Sequence, residues 1–144
     1  MIDIALTVDK EKVYAEIAQT TSYTGSKMDD ELAYDRIFTT DEDKSMLERF
    51  WNESKNTVCN SLKKTLQGEV EADGEYIISL GLSNSFDEAL TESMERSLFS
   101  FFVMNITAKW YTFTNKEEAA GYATEAATYM EDIMRKAFLQ KKND

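Results

Sequence analysis

Residues 2–8 alternate, with Ile2, Ile4, Leu6 and Val8 on one side and Asp3, Ala5 and Thr7 on the other, which is the period of a strand. Asp9 then offers a helix N-cap, with Val8 and Val13 at hydrophobic-staple positions around it. A first, shorter helix is expected to about Thr21, with Val13, Ile17 and Ala18 facing inward. Tyr23–Lys27 reads as a loop around Gly25, and Asp29–Thr39 as either a helical turn or an extended link. A second helix opens at Thr40. Leu47, Phe50, Ser54, Val58, Leu62 and Leu66 then recur every three or four residues, Met46 and Trp51 widen the stripe, and Gly68 stands where a C′ glycine belongs.

Asp73-Gly74 is a two-residue hairpin signal. It joins a short strand near Glu69–Ala72 to a longer one near Glu75–Leu82, whose Tyr76, Ile78, Leu80 and Leu82 share a face. Ser85 and Glu88 have the spacing of a capping box, so a third helix is expected from there to about Tyr111. Its first half carries one narrow stripe, Leu90, Met94 and Leu98. Its second half is apolar on two faces, with Phe101 and Ala108 on one and Phe99, Phe102, Val103, Ile106 and Trp110 on the other. Asn115, with Glu118 at N3, caps a fourth helix whose expected stripe is Ala119, Ala123, Ala126, Met130, Ile133 and Ala137, with Tyr122 and Phe138 beside it.

These elements predict one domain spanning residues 1–144, mainly α (α+β). Three long helices and one shorter helix form a bundle, with an N-terminal strand and a β-hairpin between the second and third helices. Ten of the seventeen residues from Ser97 to Phe113 are large and apolar, more than three other helices comfortably cover. Phe99, Phe102, Val103, Ile106 and Trp110 are therefore candidates for a subunit interface or for core. The hairpin residues Val70, Asp73, Gly74, Tyr76 and Ile78 are candidates for a docking arm that reaches a neighbour's sheet edge.

Charge narrows the partners. The net charge is −11, spread evenly as −6 over residues 1–72 and −5 over residues 73–144. Such a field repels nucleic-acid phosphate and anionic lipid, so neither sequence-specific nucleic-acid binding nor membrane association is expected. The one basic concentration is Arg135, Lys136, Lys141 and Lys142, read first as charge favourable to a helix C-terminus and second as a partner patch. No stretch has the look of a signal peptide or the length of a membrane span.

Candidate chemistry is sparse. The chain has no histidine, which removes Ser-His-Asp and Cys-His pairs and the usual catalytic zinc sites. Cys59 is alone and lies beside a buried stripe, where a thiol serves as a small hydrophobe. Ser61 and Lys64 have serine–lysine spacing without the companion motifs of that class. The acids at 29–31 and 41–43 lack the alternating ligands and glycine of a calcium loop. Glu88, Glu92 and Glu95 could supply a carboxylate pair only if a cleft desolvated one of them. No cofactor, metal or catalytic residue is assigned, and an enzyme is not expected.

Three strings carry a resemblance: VYAEIAQTTSYTG at 13–25, RIFTTDEDKSMLERFW at 36–51 and TNKEEAAGYATEAATYMEDI at 114–133. They resemble small structural proteins of phages and prophages of Bacteroidales bacteria. The helical layout is similar to the head–tail connector, or adaptor, proteins of tailed phages, with Asp41–Leu66 and Ser97–Tyr111, including Trp110-Tyr111, in the corresponding places. The resemblance implies a homo-oligomer forming a ring between portal and tail, with phage portal or tail proteins as partners. It implies a location in the virion, or in the bacterial cytoplasm during assembly. The alternative is an acidic regulatory or inhibitory module that binds a basic surface on another protein.

Overall fold

The computed structural model describes residues 1–22 and 41–138. In order they form β1 (Ile2–Asp9), α1 (Lys10–Ser22), α2 (Asp41–Ser61), β2 (Leu66–Ala72), β3 (Glu75–Leu82), a 3₁₀ turn (Glu88–Leu90), α3 (Thr91–Thr114) and α4 (Lys116–Phe138). The fold is mainly α with a small antiparallel sheet, as the hydrophobic pattern predicts. The loop at 23–27, the link at 29–39, the cap at Thr40, the acids at 29–31, and Lys141 and Lys142 lie outside the described residues.

The sheet order is β1-β3-β2. β1 pairs with β3 along its whole length, from Ile2 opposite Leu82 to Asp9 opposite Glu75. The hairpin is therefore no free arm: its second strand is the centre of the sheet. Asp73 (φ 55°) and Gly74 (φ 80°) both take left-handed backbone, which a tight two-residue hairpin turn demands. The Gly74 carbonyl also accepts the Lys10 N–H at 2.9 Å, tying this turn to the start of α1. Asp9 caps α1 as expected, its Oδ1 accepting the Lys12 N–H at 3.2 Å.

Two boundaries depart from the sequence reading. α2 stops at Ser61, not near Leu66. The Leu62 carbonyl accepts the N–H groups of Thr65 and Leu66, both at 2.9 Å, and closes a turn. Leu66 then enters the sheet opposite Leu80, with a register shift between Leu66 and Gly68, so Gly68 marks a bulge and not a helix end. Cross-strand pairing outcompetes one further helical turn. At the start of α3, the Ser85–Glu88 capping box does not form. Phe86 is buried and anchors the chain, the Ser85 N–H is taken by Ser83 Oγ at 3.2 Å, and Asp87 Oδ1 accepts the Ala89 N–H at 3.1 Å to cap the 3₁₀ turn instead. α3 begins only at Thr91 and runs on to Thr114.

A single core fills the space between sheet and helices. Its centre is aromatic: the Trp51 ring lies 4.6 Å from Phe102, 6.1 Å from Tyr76 and 6.2 Å from Tyr14. α4 lies along α3, with Ala126, Met130, Ile133 and Ala137 buried as expected. Ala123 and Phe138 are exposed and Ala119 is half-buried, so the buried stripe starts later than its spacing suggests. The first half of α4 instead meets the end of α3 through the Tyr111–Tyr122 contact at 5.4 Å. Asp132 fastens the other end. It accepts from Ser97 Oγ and from Lys136 Nζ, both at 2.8 Å, and pairs with Arg135. Burial alone would raise the Asp132 carboxyl, but the Lys136, Ser97 and Arg135 bonds outweigh it and hold the group below its ordinary range.

Candidate functional site

The rear of α3 is core. Phe102 and Ile106 are 0% exposed and Val103 is 1% exposed, while Phe99 and Trp110 are half-buried. Phe102, Val103 and Ile106 thus take the core alternative, while Phe99 and Trp110 keep part of their surface accessible. Counting helices alone undercounts the cover, because the sheet supplies a further layer: α3 packs on β1 as well as on α1, α2 and α4. Among the hairpin residues, Tyr76 and Ile78 are buried and unavailable for docking, whereas Val70 is 59% exposed. Alternation fixes this, since Val70 lies on the face of the sheet opposite Glu69 and Glu71.

The glutamates of β2 build a polar seam against α2. Glu71 Oε1 accepts from Trp51 Nε1 and Lys55 Nζ, both at 2.8 Å, and Lys10 Nζ stands 3.7 Å from its other oxygen. Burial pushes Glu71 up, but the Lys55 and Trp51 bonds and the Lys55 and Lys10 charges hold it below the usual carboxylate range. Glu69 Oε2 accepts from Cys59 Sγ at 3.0 Å and from the Tyr76 hydroxyl, and these two bonds hold it low. Burial, and then the Glu69 bond, push the Cys59 thiol up; burial, and then the bonds to Cys59 and Glu69, push the Tyr76 hydroxyl up. A thiol raised in this way stays protonated at neutral pH and is a poor nucleophile. The seam joins helix to sheet, and no local pattern signals it, because its members come from the start of α1, α2, β2 and β3.

The other chemical candidates do not converge. α2 ends at Ser61, so Lys64 lies beyond the helix and the helical spacing that would align the pair is gone. Glu88 sits exposed on the 3₁₀ turn, Glu92 pairs with Arg96 at 3.3 Å, and Glu95 accepts the Thr7 N–H at 2.9 Å. No group of acids and cysteine among the described residues could hold a metal ion.

Two surface features bear on association. One is a cleft of about 330 Å³ lined by Thr7, Asp9, Lys12, Glu75, Glu95, Arg96 and Phe99, where the edge of β1 meets α1 and α3. The other is Phe113, 64% exposed near the end of α3, its ring stacked on Phe50 at 6.2 Å with 12° between planes. The spacing ends this helix near Tyr111 and gives Phe113 no face; the helix in fact runs on to Thr114 and carries Phe113 into solvent. No described helix is long and apolar enough to cross a membrane. Comparison of the chain with protein-family models, with curated proteins and with solved structures finds no match.

Proposed function

We propose that this chain is a non-enzymatic virion assembly protein of a phage or prophage, a head–tail connector or adaptor that oligomerises between portal and tail. The observation that carries the reading is Phe113. An exposed aromatic ring braced on a buried one is a rigid apolar contact, and rigid aromatic anchors dominate association energetics. The rear of α3 no longer contributes to the case. The charge of −11 supports it, since an acidic lumen lets DNA pass without adhering.

The test is purification of the protein alone and with portal, followed by negative-stain imaging and sedimentation. Annular particles, or a stoichiometric complex with portal or tail protein, are expected. A strictly monomeric particle that ignores portal refutes the reading. The even acidic charge also favours the second reading, an acidic module that blocks a basic protein surface. A pull-down dominated by a polymerase or nuclease, and lost at raised salt, would replace the first reading with it.

A further inference from the structure

The exposed large hydrophobic side chains among the described residues are Met1, Val70, Phe113 and Phe138. Among these four, Phe113 stacks on another ring within the described residues, and two cations stand near that pair. The Arg49 guanidinium lies 5.2 Å from the centre of the Phe50 ring on which Phe113 stacks. Arg49 and Lys109 share a single carboxylate, Glu53, at 3.7 and 3.0 Å, which leaves one positive charge in excess. The cleft beside β1 has the opposite character. Asp9, Glu75 and Glu95 line it, none of them in an ion pair among the described residues, against Lys12 and an Arg96 already engaged by Glu92. Its aromatic wall is the half-buried Phe99.

We infer that the occupant of this cleft is Phe113 of a second copy of the chain, with Arg49 and Lys109 of that copy facing Asp9, Glu75 and Glu95. The inference rests on the self-assembly reading and names its interface. The volume admits a phenyl ring against Phe99, and the flanking charges are of opposite sign on the two sides. Phe99 and Phe113 are fourteen residues apart on one helix, ~21 Å at ~1.5 Å per residue. Each copy therefore offers one knob and one cleft at separate places. Such a contact is heterologous: it grows head to tail and closes as a ring or runs on as a filament, in contrast to a two-fold dimer.

Sedimentation velocity on wild type, Phe113→Asp and Glu75→Arg tests it, with far-UV circular dichroism confirming the fold, since both side chains are exposed. Each variant alone is expected to associate at least ~10-fold more weakly than wild type, consistent with the loss of a buried anchor or of charge complementarity. Mixed, the two variants are expected to form a one-to-one pair and nothing larger, because each retains the half that the other lacks. Wild type that assembles while both variants assemble equally well overturns the interface and leaves the self-assembly reading standing. Assembly abolished by Phe138→Asp but not by Phe113→Asp overturns it in the same way, as does a mixture that yields no pair. Wild type that stays monomeric at every concentration overturns the self-assembly reading itself, and the interface with it.

Discussion

Truncating Phe102 to alanine separates a core from a subunit interface. Its ring is fully buried, 4.6 Å from Trp51 and 5.8 Å from both Tyr76 and Phe101. Removing a buried phenylalanine side chain costs about 3–5 kcal/mol, set by how far the surroundings collapse into the void. Three flanking rings are rigid and each pair adds about 0.5–1.5 kcal/mol beyond buried area, so a value near the middle or top of that range, about 4 kcal/mol, is expected. Against a total stability of about 5–15 kcal/mol the variant remains folded but marginal. With a urea slope of about 2 kcal/mol/M, the unfolding midpoint falls by about 2 M. The assay is urea unfolding followed by circular dichroism and by tryptophan fluorescence, at two protein concentrations far apart. The difference between wild type and variant must be the same at both, because the ring's partners all belong to its own chain. A loss below about 1 kcal/mol, or a loss that appears only at the lower concentration, refutes the placement of Phe102 in the core.

Three smaller perturbations follow from particular atoms. Thr107 Oγ1 is buried with no hydrogen-bond partner among the described residues, so Thr107→Val is expected to stabilise by about 1 kcal/mol in thermal unfolding; destabilisation would mean the hydroxyl is in fact bonded. Gly74→Ala is expected to cost about 1 kcal/mol because its φ of 80° is strained for any side chain, whereas Gly68→Ala, where an added Cβ meets open space, is expected to stay within about 0.5 kcal/mol. The folded-state carboxyl of Glu71 titrates below its ordinary 4.5, so the stability it contributes is complete above that value and is lost as pH falls through the lower folded value. Glu71→Gln should therefore flatten the fall in stability between neutral pH and acid, and an unchanged acid limb would show that the seam does not couple protonation to folding.

Local chemistry made much of the fold legible. The alternation of Ile2–Val8, the Asp9 cap, the Asp73-Gly74 turn and the three-to-four-residue spacing of Leu47, Phe50, Ser54 and Val58 each encode a backbone preference within a few residues, and each element stands where that preference puts it. Errors came where a distant partner overrode a local signal. Leu66 fits a helical stripe, yet Leu80 draws it into the sheet. Ser85 and Glu88 fit a capping box, yet the burial of Phe86 sets the path of the chain and passes the cap to Asp87.

The candidate surface was the least legible part. Burial along a helix depends on every layer that packs on it, and spacing alone cannot count those layers. Sequence marked Phe99 through Trp110 as one oily face; tertiary packing against the sheet, Trp51 and α4 took most of it inside and left Phe113 outside. The seam from Lys10 through Trp51, Lys55 and Cys59 to Glu69, Glu71 and Tyr76 exists only because β3 pairs with β1 and brings β2 beside α2. Sequence by itself determined which helices and strands form and in what order, because those choices are made over a few bonds, while distant partners set where α2 ends and α3 begins. Only the tertiary structure decided which apolar and charged groups face water, because that is settled between residues far apart in the chain.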